Sequence, residues 1–345
     1  MTMMDLDHIT LPASEDWVDV RDAVARLCED FPNEYWLKMD KADSYPQDFV
    51  DTLTESGFLG ALIPEEYGGS GLPLSAACAV LETIHASGCN AAACHTQMYT
   101  MGTVLKYGSD AQKAKYLPGI ADGSLRLQAF GVTEPTTGSD TTQLKTRAEK
   151  NAAGNYVING QKVWTSRAFE SDLMLLLART TPSAEVTKRS DGMSVFLLDM
   201  RAALGKGLEL RKIDAMINHN TCEVFIDNLE IPGDTLVGEE GRGFRYIVDS
   251  MNAERILIAS ECIGDAKYFI RKAAAEANMA KMLAADASWN AAEVCMQVLG
   301  GYAFAREYGI ERKWREARLY QTAPISKNMI LGYLGQHVLG MPRSY

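Results

Sequence analysis

No CxxC pair occurs anywhere in the 345 residues. The seven cysteines (Cys28, Cys78, Cys89, Cys94, Cys222, Cys262, Cys295) are scattered and odd in number. That pattern offers neither zinc-ligand spacing nor a disulfide framework, so reduced thiols in a cytoplasmic protein are the expectation. Positive charge is also scarce: 34 Lys and Arg stand against 45 Asp and Glu, a net charge of −11. The acidic balance argues against nucleic acid or an anionic membrane as a partner. No apolar run is long enough to span a bilayer. Residues 1–7 lack both a basic segment and an apolar one, so no secretory signal is expected, and their acidity disfavours a mitochondrial transit peptide. A G-x-G-x-x-G turn after a strand is missing, which removes the usual nicotinamide fingerprint. What is present is an ordinary globular composition, 47% hydrophobic and 23% charged, in a chain long enough for more than one domain.

The hydrophobic period divides the chain in three. Residues 1–125 read as helical: Val18, Val20, Val24 and Leu27 space one apolar face, and Phe49, Leu53, Phe58 and Leu59 another. Residues 75–107 read as long, nearly all-apolar buried helix. Ser109 or Asp110 offers an N-cap for the next helix, with a stop at Pro118-Gly119. Across 126–236 the period alternates, with strands around 172–177, 194–198 and 223–227 and a polar surface loop over 180–191, giving an antiparallel β domain. From 237 to 345 the chain is helical again. Residues 242–299 contain no proline and only Gly243 and Gly264 as breakers, a run far beyond the usual ~8–20 residues of a helix. Gly300-Gly301 interrupts it, a segment around 308–320 follows, and a last helix starts near Pro324. About three helices result, where a stable bundle normally has four. The expected fold is α+β: an N-terminal helical domain, a middle β domain and an incomplete C-terminal bundle.

The chemistry concentrates between Gly131 and Ser166. Thr133, Glu134, Pro135, Thr136, Thr137, Gly138, Ser139 and Asp140 form one polar turn. Pro135 fixes a backbone angle, and Gly138 permits a close approach or a positive φ. Hydroxyls and backbone N–H groups in such a turn suit a flat polar ring or a phosphate. Next, residues 156–158 and 162–164 flank Asn159-Gly160, which reads as a β-hairpin turn. Trp164 presents an aromatic face beside Ser166. His85 and His95 sit in apolar helix and read as packing, and His219 lies between asparagines without an evident partner. On helix position alone, Glu254 reads as a solvated carboxylate.

The TEPTTGSD turn followed by YVINGQKVW resembles the acyl-CoA dehydrogenase family. GFLGALIPEEYGGSGL, YGSDAQKAKYLP and GFRYIVDSMNAERILIASECIGDAKYFIRKA are similar to other parts of that family. The resemblance implies FAD, with Thr133, Ser139, Trp164 and Ser166 around the flavin ring. Gln297, Gly300 and Gly301 would reach FAD across a subunit boundary, and Ser326 would contact it as well. It implies removal of the α-proton of an acyl-CoA by a carboxylate, while the β-hydrogen leaves as hydride to the flavin. In many members that carboxylate is a glutamate near the C-terminus, and Pro324 stands at that place here. Other members carry it before an arginine on an earlier helix, which points to Glu254 beside Arg255. Ser139, Asn252 and Arg255 match substrate-lining positions. The family segment that would follow residue 273 has no counterpart, so the junction over 273–276 is not expected to be a native continuous helix. An electron-transfer flavoprotein is the implied acceptor, and a homodimer or homotetramer the implied assembly. A flavin oxidase or monooxygenase of the same fold, or a non-catalytic paralogue, is the alternative.

Overall fold

The computed structural model describes residues 16–217, 219–272, 277–323, 325–337 and 341–342. The chain divides into two compact units, Met1–Cys262 and Ile263–Tyr345. The first opens with six helices: α1 (Val18–Glu29), α2 (Asn33–Ala42), α3 (Gln47–Glu55), α4 (Leu74–Ala86), α5 (Ala92–Tyr107) and α6 (Asp110–Asp122). The single long helix expected over 75–107 is therefore two. Gly88 takes a φ of 85°, which only glycine adopts cheaply, and the His85 ring accepts a hydrogen bond from the backbone N–H of Ala91 at 3.2 Å. Both halves are apolar because both are buried; Val80, Leu81, Ile84, Met98, Met101 and Val104 all lie inside.

Helix α6 starts where expected. Ser109 accepts from the Gln112 backbone N–H, and the Gln112 side chain accepts from Ser109, closing a capping box. It does not stop at Pro118-Gly119 but continues to Gly123, whose φ is 80°. A proline inside a helix costs about 3 kcal/mol, which burial of Tyr116, Leu117 and Ile120 around it offsets.

An eight-stranded sheet follows: β1 (Leu127–Gly131), β2 (Arg147–Lys150), β3 (Tyr156–Thr165), β4 (Leu173–Arg179), β5 (Met193–Asp199), β6 (Leu208–Lys212), β7 (Cys222–Ile231) and β8 (Leu236–Val237), with the single-turn helix α7 (Met200–Ala203) after β5. The strand order is β6-β7-β3-β2-β4-β5-β8, with β1 alongside β4. Pairing is mostly antiparallel; β1–β4 and β2–β4 are parallel. Strand β4 is apolar at nearly every position because both its faces are covered. Leu173, Leu175 and Leu177 pack with Met101, Leu117 and Ile120, while Met174 and Leu176 pack with Phe196 and Val224.

The expected turn at Asn159-Gly160 is not a turn. Both residues lie inside β3, which pairs with β2 on one side and β7 on the other. The chain reverses earlier, at residues 151–155, where the Asn151 side chain accepts from the N–H groups of Ala153 and Asn155. Gly160 is there for space: a Cβ on it would stand 2.3 Å from Thr146 Oγ1 and 2.7 Å from the Thr146 Cα.

Helix α8 (Gly243–Lys272) continues from the sheet and carries the end of the first unit. The second unit contains α9 (Ala277–Leu299), α10 (Ile310–Thr322) and α11 (Lys327–His337). Gly300 ends α9 at a φ of 54°. Trp289 and Trp314 join α9 to α10 with ring centroids 5.1 Å apart, and Asp286 of α9 binds Lys327 and Gln321. Val294, Val298, Phe304 and Met329 of this unit are exposed, Val298 at 78%. The 273–276 junction and Pro324, on both of which the sequence raised expectations, lie outside the described residues.

Candidate active site

The first unit holds a cleft of about 300 Å³. Thr133 and Gly138 of the polar turn, Trp164 and Ser166 from the end of β3, His95 of α5 and Glu254 of α8 all face it. Residues more than a hundred positions apart meet here because the sheet packs directly on α5 and α8.

The turn is closed by two reciprocal backbone hydrogen bonds between Glu134 and Thr137, 3.3 and 3.1 Å. It is fixed to β3 by the backbone N–H of Val163, which donates to the Thr133 carbonyl at 3.0 Å. A buried ion pair lies behind it. Lys162, fully buried, donates to Glu134 Oε1 at 2.9 Å and to the Val132 carbonyl at 3.2 Å. Glu134 also accepts from the backbone N–H groups of Lys145 and Thr146 at 2.6 and 2.9 Å. Burial pulls the Lys162 ammonium down to about 8 against the pull of Glu134. Burial by itself would raise the Glu134 carboxyl, but the Lys162 charge and the donors from Thr146 and Lys145 outweigh it and hold it low.

Trp164 sits in a β-bulge, where β3 slips against β7 between Lys162 and Thr165. Its φ is 63° and its side chain is 60% exposed. A large residue held in left-handed backbone with its ring uncovered is strain retained at a site of use. Ser166 Oγ lies 3.2 Å from Thr221 Oγ1. Arg167, also at positive φ, is buried with its guanidinium over the Tyr45 ring at 5.4 Å. His219, in the loop before β7, accepts from the Arg167 N–H through its carbonyl and lines the same cleft. Burial, then the positive charges of Arg167 and His95, push its imidazole down to about 4. Burial raises the Glu254 carboxyl above its ordinary value, with His95 and Arg255 opposing.

Ser139, Asn252 and Arg255, also singled out in the sequence, are not among the residues lining this cleft. Ser139 is exposed at the rim of the turn, and Gly138 does not need a positive φ. Asn252 and Arg255 are exposed and bonded to each other at 2.9 Å. Gln297, Gly300 and Gly301 are exposed in the second unit, and Ser326 accepts from the Met329 and Ile330 N–H groups at the start of α11. Sequence reasoning missed His95, Arg167 and His219 as cleft residues, and Glu261 behind His95. Glu254 and Glu261 stand seven apart, two helical turns on one face, which was a readable signal.

The cleft suits a flat redox ring. It offers an uncovered indole, hydroxyls on two sides, and at Gly138 a position where a Cβ would meet no protein atom within 4 Å. Thr133, Trp164 and Ser166 thus fit the isoalloxazine end of FAD. Gly138→Ala is accordingly expected to leave the denaturation midpoint unchanged while FAD content per chain falls; full FAD loading, read by absorbance, would remove the ring from this place.

The cleft thus brings an exposed indole, hydroxyls and a half-buried carboxylate together, a set suited to redox chemistry on a bound organic ring. Comparison with known proteins narrows the class. The N-terminal, middle and C-terminal domain models of acyl-CoA dehydrogenase match residues 14–124, 129–229 and 270–324. The acyl-CoA dehydrogenase fadE12 of Mycobacterium bovis is 29% identical, over 96% of this chain and 98% of its own. That alignment runs to 386 positions, more than the 345 residues here, so the relative carries residues without a counterpart in this chain. The structure of a glutaryl-coenzyme A dehydrogenase in complex with glutaryl-CoA is 25% identical at a TM-score of 0.70, over 97% of this chain and 98% of that one. A structure described as the electron transferring flavoprotein of Acidaminococcus fermentans is 25% identical at a TM-score of 0.65, over 95% and 98%. The chain belongs to the acyl-CoA dehydrogenase family, whose members are FAD-dependent oxidoreductases.

Proposed function

We propose that the protein introduces a double bond between the α and β carbons of an acyl-CoA thioester, with Glu254 as the base, and passes the electrons to an electron-transfer flavoprotein. The observation that carries this reading is the shared cleft of Glu254, Trp164 and the 133–140 turn. Bound FAD supplies the two-electron acceptor for the hydrogen that leaves the β carbon. The α-proton passes from carbon to a Glu254 oxygen. Helix α8 gives that carboxylate a rigid mount, and burial brings its pKa nearer the working pH. Thr133, Ser139, Trp164 and Ser166 would hold the ring side of FAD, and Gln297, Gly300, Gly301 and Ser326 its other contacts. Ser139, Asn252 and Arg255 would serve the CoA thioester. The resemblance to the structure described as an electron transferring flavoprotein supports the choice of acceptor.

The same reading takes the chain as three domains, 1–125, 126–236 and 237–345, working in the cytoplasm, a setting that suits seven free cysteines. It assembles as a homodimer or homotetramer, which the exposed apolar residues of the second unit support. Light scattering is expected to give at least twice the chain mass; a monomer that keeps all its flavin would overturn the assembly.

The test of function is anaerobic bleaching of the flavin against a panel of acyl-CoA thioesters. Bleaching, followed by transfer to an electron-transfer flavoprotein, is the expected result. Fast hydrogen peroxide formation in air would identify an oxidase instead, and a colourless protein a non-catalytic paralogue.

A further inference from the structure

Strand β3 buries a lysine that the proposed reaction does not use. Lys162 is wholly enclosed, and its ammonium donates to one short piece of chain, reaching the Val132 carbonyl at 3.2 Å and Glu134 Oε1 at 2.9 Å. Thr133 lies between those partners. Its own carbonyl accepts from the Val163 N–H at 3.0 Å, so consecutive residues of β3 hold the chain from Val132 to Glu134 at every position. The Glu134 carboxylate also accepts from the Lys145 and Thr146 N–H groups, at 2.6 and 2.9 Å, and so closes the neck of the loop over 134–146. Val132 and Thr133 ahead of that loop, and Gly138 and Thr141 within it, line the cleft. Trp164 and Ser166, just past Lys162 in the chain, line it as well. Lys162 therefore ties together the two pieces of chain that meet at the ring site.

We propose that the Lys162–Glu134 ion pair is a positioning device for FAD: it fixes the spacing between the 133–141 loop and the segment carrying Trp164 and Ser166, and so the width of the slot that takes the flavin ring. The inference rests on the reading of this cleft as the ring site. Neither Lys162 nor Glu134 lines the cleft, so both act through Thr133, Gly138 and Thr141. The pair has no net charge, and its effect is one of distance rather than of field. Opening it would strand two charges away from water, which keeps the contact shut. The outer end of the loop is pinned too. Arg179, at the end of β4 and also buried, donates to the Thr142 carbonyl at 2.8 Å and to the Asp191 carbonyl at 3.1 Å. With Thr142 fixed, a displacement of Glu134 is passed to Gly138 and Thr141 instead of being absorbed beyond them. The slot thus stands at one width before FAD arrives, which spares binding the cost of ordering the loop.

The test sets FAD retention against folding. Retention is read from the rise in flavin fluorescence when the FAD-loaded enzyme is diluted, and folding from the denaturant midpoint. Lys162→Met should lose on both counts. Adding Glu134→Gln removes the stranded charge and should return much of the midpoint. The loop stays untied from β3, however, so the double variant is expected to hold FAD about tenfold or more weakly than the parent. Glu134→Asp decides the matter if the double variant folds poorly. It keeps the charge on a shorter stem, so the pair closes only by drawing the loop toward Lys162. Its midpoint should stay near the parent's, while the visible absorption band of the bound flavin shifts and FAD leaves faster. A double variant that regains midpoint and FAD affinity together would overturn the inference and mark the pair as purely structural. A Glu134→Asp enzyme with the parent's spectrum and release rate would do the same. Either result leaves the ring site where it is. A parent protein that binds no FAD would instead overturn the reading of the cleft, and the inference with it.

Discussion

Glu254→Gln is expected to slow anaerobic flavin reduction by acyl-CoA about 10²–10⁴-fold, the usual contribution of a well-placed general base. Glutamine keeps the shape of the side chain but cannot take a proton. FAD content and acyl-CoA binding should therefore persist, and the loss should fall on the rate of bleaching at saturating substrate. The pH dependence has a definite sign. The base works ionised, and burial raises its pKa above the ordinary carboxylate value. The parent rate should rise as pH climbs through that raised value, on the basic side of where an exposed glutamate would titrate. A variant that bleaches at the parent rate would sink the assignment and return attention to the segment around Pro324.

The second large effect is on stability. Lys162→Met should destabilise the first unit by about 3–5 kcal/mol, because it leaves the Glu134 charge buried without its partner. The methionine fills similar volume, so the loss is electrostatic rather than a cavity. Adding Glu134→Gln should recover much of it, since the two side chains form one network. Denaturant midpoints of the single and double variants measure this; a single variant as stable as the parent would mean that Glu134 is neutral or reached by water. The pair also sets an acid sensitivity. Glu134 titrates lower folded than unfolded, so its contribution is fully present above the unfolded carboxylate pKa. It is lost as pH falls through the depressed folded value. The double variant should lose less stability than the parent across that window.

Much of this was legible in the chain. The change from helical to alternating period near residue 126 falls between the end of α6 and the start of β1. The sequence also singles out the 133–140 turn, Trp164, Ser166 and Glu254, and Thr133, Gly138, Trp164, Ser166 and Glu254 line one cleft. What sequence could not carry was long-range pairing. Asn159-Gly160 has the chemistry of a tight turn, yet it runs through the sheet because Thr146 crosses where a side chain would sit. Pro118-Gly119 has the chemistry of a stop, yet burial of its neighbours carries the helix through. His95 reads as a packing residue because its own helix is apolar; its carboxylate partner, Glu261, lies 166 residues away. Period and propensity report local preference, and these positions are decided by partners distant in sequence.

The bulge at Trp164 has a bearing on how this chain can change length. Side chains on a strand alternate faces, so one residue added to β3 between Gly160 and Trp164 would send the indole to the far side of the sheet. A residue added to α8 ahead of Glu254 would swing the carboxylate by about 100°. Residues 151–155, by contrast, only reverse the chain between β2 and β3, and Trp164 in the bulge lies nine residues past Asn155. Insertions and deletions at that reversal leave the cleft unaltered, and those inside β3 or the first turns of α8 dismantle it.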